Sequence, residues 1–111
     1  MVIVITSLKL RNLFSFFGLA NYARKIVMQL RDEPHTEFRK TGIGLTHYTM
    51  TAWKSHEDMQ TFARRGAHRD SMKASARIAK EIRTLVIERD ALPDWEEAKA
   101  LLQTEGKVLN F

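Results

Sequence analysis

Residues 2–8, VIVITSL, limit the possible folds more than any other stretch of this chain. In an extended chain, successive side chains point to opposite faces. One face here carries Val2, Val4, Thr6 and Leu8, and the other Ile3, Ile5 and Ser7. Both are largely apolar, so a strand built from them needs cover on both sides. Helices of the same chain can supply one cover. The second must come from somewhere else.

The rest of the chain supplies the helices and further strands. Leu19, Tyr22, Ala23, Ile26, Val27 and Leu30 fall at helical spacing. Ser15 or Asn21 is a candidate cap for that helix, and Pro34 stops it. Residues 36–40 suit a short strand, and Thr41-Gly42-Ile43-Gly44 reads as a turn or bulge. Residues 45–53 are rich in Thr, Tyr and Trp, which favour a strand. Ser55 opens a capped helix with Asp58 in the capping-box position, and Met59, Phe62 and Ala63 form its stripe. After Gly66 the pattern resumes through His68, Met72, Ser75, Ala79 and Ile82. Residues 82–89 read as a strand, with the continuous apolar run Leu85-Val86-Ile87. Asp94 caps a last helix with Trp95, Ala98, Leu101 and Leu102 inward, and Gly106 ends it. The final VLNF suits a short strand or a docked tail.

The order is strand, helix, strand, strand, helix, strand, then a terminal helix. Its first six elements match the split β-α-β-β-α-β plan, so the expected class is α+β with a ferredoxin-like protomer and an extra C-terminal helix. At 111 residues this is one domain, 1–111. In the split plan both helices sit on one face of the sheet and the other face is bare. The apolar groups of residues 2–8 on that bare face call for a partner sheet, which predicts a homodimer.

Composition excludes several function classes. There is no cysteine, hence no disulfide, thiolate metal site or cysteine nucleophile, in keeping with a cytoplasmic protein. The four apolar residues after Met1 precede any positive charge, so they read as a strand and not as a signal peptide. No run approaches the roughly 18 apolar residues of a membrane span. The net charge of +5 is modest, and acidic residues are interspersed. Aromatic residues do not interleave with the bases, so nucleic acid is not an expected partner. His35, His47, His56 and His68 lack metal-ligand spacing, and no zinc or other metal site is expected. No G-x-S-x-G, Walker A or G-x-G-x-x-G motif occurs.

The sharpest local signal is residues 49–72, TMTAWKSHEDMQTFARRGAHRDSM. A strand ends in Trp53, Ser55 opens a helix, Phe62 lies on its inner stripe, and Gly66-Ala67-His68-Arg69 precedes Met72. This stretch resembles the spheroidene-monooxygenase-like proteins, within the wider antibiotic-biosynthesis-monooxygenase type of dimeric α/β barrel. The resemblance implies a dimer of ferredoxin-like protomers with a small-molecule pocket between sheet and helices. It implies a monooxygenase-like oxidoreductase acting on a mainly apolar or aromatic substrate. A non-catalytic ligand-binding or stress-related dimeric module on the same fold is the alternative. The cofactor is left open between none and haem.

His68 is the candidate catalytic residue. Helical spacing puts it on the stripe with Met72, and its roles would be general base, substrate hydrogen bond or axial haem ligand. A structural histidine bonded to a backbone carbonyl is the competing reading. Trp53, Phe62 and Met72 would contact substrate. His47, Thr49 and Thr51 share a strand face with Trp53 and would line a wet cavity. Tyr48, on the opposite face, would bind ligand if the faces were reversed. Arg69, Lys73, Arg77 and Lys80 make a basic helical stripe, suited either to an anionic ligand group or to solvent.

Overall fold

The computed structural model describes residues 1–30, 35–64 and 77–111, with Leu30, His35, Thr36 and Ile43 described by backbone alone. The strands are β1 (Val2–Leu10), β2 (His35–Ile43), β3 (Thr46–Trp53), β4 (Ala79–Glu88) and β5 (Lys107–Asn110). The helices among the described residues are α1 (Ser15–Leu30), α2 (His56–Ala63) and α3 (Trp95–Glu105). The sheet order is β2-β3-β1-β4-β5, and every neighbouring pair is antiparallel. This is the ferredoxin-like plan with β5 added beside β4, after the C-terminal helix.

Local chemistry explains most boundaries. Ser55 Oγ accepts from the Asp58 amide at 3.2 Å, and Asp94 Oδ1 accepts from the Glu97 amide at 2.8 Å. Each satisfies a helix-end donor that has no partner inside the helix. The cap of α1 differs from both sequence candidates. Asn12 Oδ1 accepts from the Ser15 amide at 3.0 Å, so the helix starts at Ser15. Residues 36–40 are part of a longer strand than expected. Its hairpin to β3 turns at Gly44, whose φ of 63° is a left-handed value that glycine tolerates. Gly42, at φ 153°, meets β3 so closely that a Cβ would lie 2.7 Å from the Thr46 carbonyl oxygen.

The helical stripe drawn from His68 to Ile82 is too long. Ala79, fully buried, and Ile82 belong to β4, which starts three residues before the expected 82. Hydrogen bonding to β1 from Ala79 onward overrides the periodicity.

Both faces of β1 are covered, by different helices. On one face Val2 and Trp53 pack with Phe62 of α2, surrounded by Val4, Ile26, Phe38 and Met59. On the other, Ile3, Ile5, Met50 and Ala52 pack with Ala98 and Leu102 of α3. The second cover expected from a partner sheet is therefore supplied within the chain. Full burial of each such aliphatic side chain is worth about 1.5–3 kcal/mol, so α3 contributes a substantial part of the core.

Candidate functional site

β3 sets out the expected site residues in one column. His47, Thr49, Thr51 and Trp53 alternate onto the α1–α2 face, opposite Leu8, Thr6, Val4 and Val2 of β1. Trp53 is 1% exposed and Phe62 4% exposed, with ring centroids 5.1 Å apart. They form a closed floor that a ligand meets only by displacing their neighbours. The Trp53 indole N–H donates to Thr51 Oγ1 at 3.0 Å. Gln29 of α1 donates to the Phe62 carbonyl at 3.5 Å and ties the two helices together.

The middle of this face is polar. Lys40, Thr49, Thr6, Thr84 and Lys107 stand in one register row across all five strands. Thr49 is exposed, while Thr6 and Thr84 are half-buried. None of these three hydroxyls makes a side-chain hydrogen bond among the described residues. At the far end His47 is held in place. Its Nε2 lies 3.1 Å from the Gly44 carbonyl, and its ring sits 5.8 Å from that of Phe16. Thus five of the candidates share one side of the sheet. His68, Arg69 and Met72 lie outside the described residues, as does the Arg69–Lys73 part of the basic stripe.

The opposite face holds a cleft that sequence reasoning missed. It has a volume of about 560 Å³ and opens between the C-terminal half of α3 and the β2-β3-β1-β4 strands. Thr41, Tyr48, Ser7 and Arg83 form one register row along its floor. Lys9 stands in the next row, and Lys99 and Gln103 line it from α3. Lys99 Nζ lies 4.8 Å from the centre of the Tyr48 ring. Glu81 sits between two cations, 2.6 Å from Arg83 Nε and 3.4 Å from Lys9 Nζ. The Arg83 hydrogen bond, with Coulomb attraction from Lys9 and Arg83, holds the Glu81 carboxyl below its ordinary pKa, against an opposing effect of burial. The sequence hint was weak. Only Tyr48 was visible as a ligand contact on that face, and Lys99 joins it only because α3 folds back over the sheet.

Among the described residues no group of three or more His, Asp or Glu side chains could hold a metal ion. No described helix is long and apolar enough to cross a membrane.

The family match spans residues 10–107 and is to a domain of unknown function, DUF3291. The chain belongs to that family. No curated protein matches it. Solved structures of similar fold include a Deinococcus radiodurans protein provisionally assigned as an antibiotic biosynthesis monooxygenase. It is 13% identical, with a TM-score of 0.72 over 85% of this chain and 97% of that one. A Nitrosomonas europaea protein with the same provisional assignment is 11% identical, with a TM-score of 0.72 over 82% and 100%. A Mycobacterium tuberculosis protein is 10% identical, with a TM-score of 0.73 over 84% and 98%. At these identities the likeness is one of fold. This DUF3291 chain shares its protomer fold with these proteins, the fold that the resemblance of residues 49–72 implied.

Proposed function

We propose that the chain is a small-molecule enzyme of the monooxygenase-like class, and that its substrate lies on the α1–α2 side of the sheet. The observation that carries this reading is the row of hydroxyls at Thr6, Thr49 and Thr84, which make no side-chain hydrogen bond among the described residues and share a face with the Trp53–Phe62 floor, one Val4–Thr51 row beyond. Such a row can donate to and accept from the oxygen of a phenol or enol, while the apolar end borders its ring. Binding sites of this kind combine mostly apolar walls with a few fixed polar groups. The provisional monooxygenase assignments of proteins sharing the fold add support.

In this reading His68 is the general base, with Arg69 and Met72 beside the substrate. It removes an acidic proton, and the resulting anion reacts with dioxygen. When the ring C–H opposite a phenol oxygen becomes a quinone carbonyl, one oxygen atom of dioxygen enters the product and the other leaves as water, taking up the ring hydrogen and the phenol proton. The substrate then supplies all the electrons, and no separate reductant is needed. A haem version would require an axial ligand. His47 Nε2 is engaged by the Gly44 carbonyl, and His68 is the residue that would be tested first as that ligand.

We also propose a homodimer in the cytoplasm. The α3 cover removes the original reason for pairing sheets face to face. Apolar surface remains elsewhere, however, with Leu13, Phe14 and Phe17 each at least 70% exposed at the start of α1. Val86 and Leu109 are also exposed, on the α1–α2 side of β4 and β5.

The test is oxygen consumption with a panel of hydroquinones and phenols, alongside quenching of tryptophan emission. Consumption that is lost in His68→Ala and weakened in Thr49→Val is the expected result. Saturable quenching without consumption favours the non-catalytic binding module. A Soret band on haem titration, lost in His68→Ala, favours the haem version. Neither binding nor consumption across the panel would overturn the reading. Sedimentation at micromolar concentration tests the dimer, and a monomer rejects it.

A further inference from the structure

We propose that the cleft beneath α3 is a binding site for a small phosphate monoester, on the face of the sheet opposite the threonine row. Three cations line or border its floor and roof: Lys9, Arg83 and Lys99. The nearby carboxylate, Glu81, is shared between Lys9 and Arg83. The balance is an excess of two positive charges. A phosphate monoester near neutral pH carries about −1.5 to −2 charges, which matches that excess.

The site contains a buried polar group without a partner among the described residues. Ser7 is 6% exposed and lines the cleft, yet its hydroxyl makes no hydrogen bond among the described residues. A buried hydroxyl normally finds a partner, because leaving it unpaired is costly. A phosphate oxygen above Ser7 would supply one. Lys9 and Lys99 approach the same space from sheet and helix. Arg83 is fixed by Glu81 and by a 3.5 Å hydrogen bond to the Gln103 carbonyl, so its position is set before any ligand arrives.

The organic part of the ester has a wall as well. The Tyr48 ring and Leu102 line the cleft beside these charges. A volume of about 560 Å³ exceeds the needs of a bare phosphate ion, and lies within the roughly 300–1,000 Å³ range of small-molecule sites. Tyr48 also packs near Trp95, with centroids 6.4 Å apart, which holds its ring in place. An aromatic or short alkyl ester fits this combination better than a free ion.

The experiment is calorimetric titration of the full chain with phenyl phosphate, inorganic phosphate and phthalate. Phenyl phosphate is expected to bind saturably, more tightly than either control, and more weakly as salt rises. Lys9→Gln and Lys99→Gln remove partly or fully exposed cations and should each lower affinity about tenfold without unfolding the chain. Ser7→Ala should also weaken binding, while thermal stability holds or rises because an unpaired hydroxyl is removed. No saturable heat up to about 10 mM, a range in which only very weak binding remains, would overturn the proposal. So would affinity unchanged by Lys9→Gln and Lys99→Gln together, or phthalate binding as tightly as phenyl phosphate. A sedimentation shift in those variants with no phosphate binding would assign the cleft to contact with a second copy and reject the ester. The α1–α2 face takes no part in any of these readouts, so the outcome is independent of the monooxygenase-like reading.

Discussion

Thr51 accepts the indole N–H of Trp53 at 3.0 Å, two residues away on the same face of β3. The bond fixes the orientation of a ring that is almost wholly buried. Thr51→Val keeps the shape and removes the acceptor. A neutral hydrogen bond is worth about 0.5–1.5 kcal/mol net, so a loss near 1 kcal/mol is expected. Urea unfolding measures it. A stability change below the experimental error would show that the bond adds nothing to the floor of the site.

Phe62 and Thr49 should separate packing from ligand contact. Phe62 is buried against Trp53, and Phe62→Ala is expected to cost about 3–5 kcal/mol, the usual penalty for an emptied aromatic position. Thr49 is exposed in the middle of the same face. Thr49→Val should change stability by no more than about 0.5 kcal/mol, while weakening binding of any oxygen-bearing substrate. Thermal melts of both variants, paired with the quenching titration, provide the comparison. Equal loss of stability in the two would contradict the assignment of Thr49 to an open shelf.

The Glu81 cluster gives a pH dependence with a definite sign. Its carboxyl titrates near 4.5 when unpaired and lower in the folded chain, mainly because of the Arg83 hydrogen bond. Between the two values the unfolded state binds more protons than the folded state, so stability increases with pH. The contribution is complete above about the unpaired value and is lost as pH falls through the lower, folded value. Glu81→Gln should therefore be less stable than wild type at neutral pH, with the gap closing in acid. Denaturant melts across that window test it. A gap that stays constant into acid would mean that charge pairing at Glu81 is not its source.

Much of this was legible in the sequence, because the informative signals are local. Ser55 and Asp94 announce their helices through side chains that reach only three residues along the chain. The alternation of residues 45–53 gave the correct face for His47, Thr49, Thr51 and Trp53. The errors came where distant contacts decide. Ala79 and Ile82 fit a helical stripe, yet pairing with β1 makes them strand. The second cover for Ile3 and Ile5 looked like another molecule, because nothing local states that residues 95–105 return across the sheet. The cleft was invisible for the same reason. Ser7, Tyr48, Arg83 and Lys99 come from four elements and share no motif.

That return of α3 has its own consequence. Leu102 is 2% exposed and packs with Ala98 against Ile3, Ile5, Met50 and Ala52. If the helix is the true cover of this face, Leu102→Ala should cost about 2–5 kcal/mol, as for other buried leucines. Asp94→Ala removes only the cap and should cost about 1 kcal/mol. Leu102→Asp would place a charge against that core and should expose the face, with increased binding of an apolar dye. If a partner sheet covers the face instead, Leu102→Ala should barely change stability, and Ile5→Asp should dissociate a dimer. Sedimentation and chemical unfolding of the same three α3 variants and of Ile5→Asp distinguish the two arrangements, since an intramolecular cover gives stability independent of protein concentration.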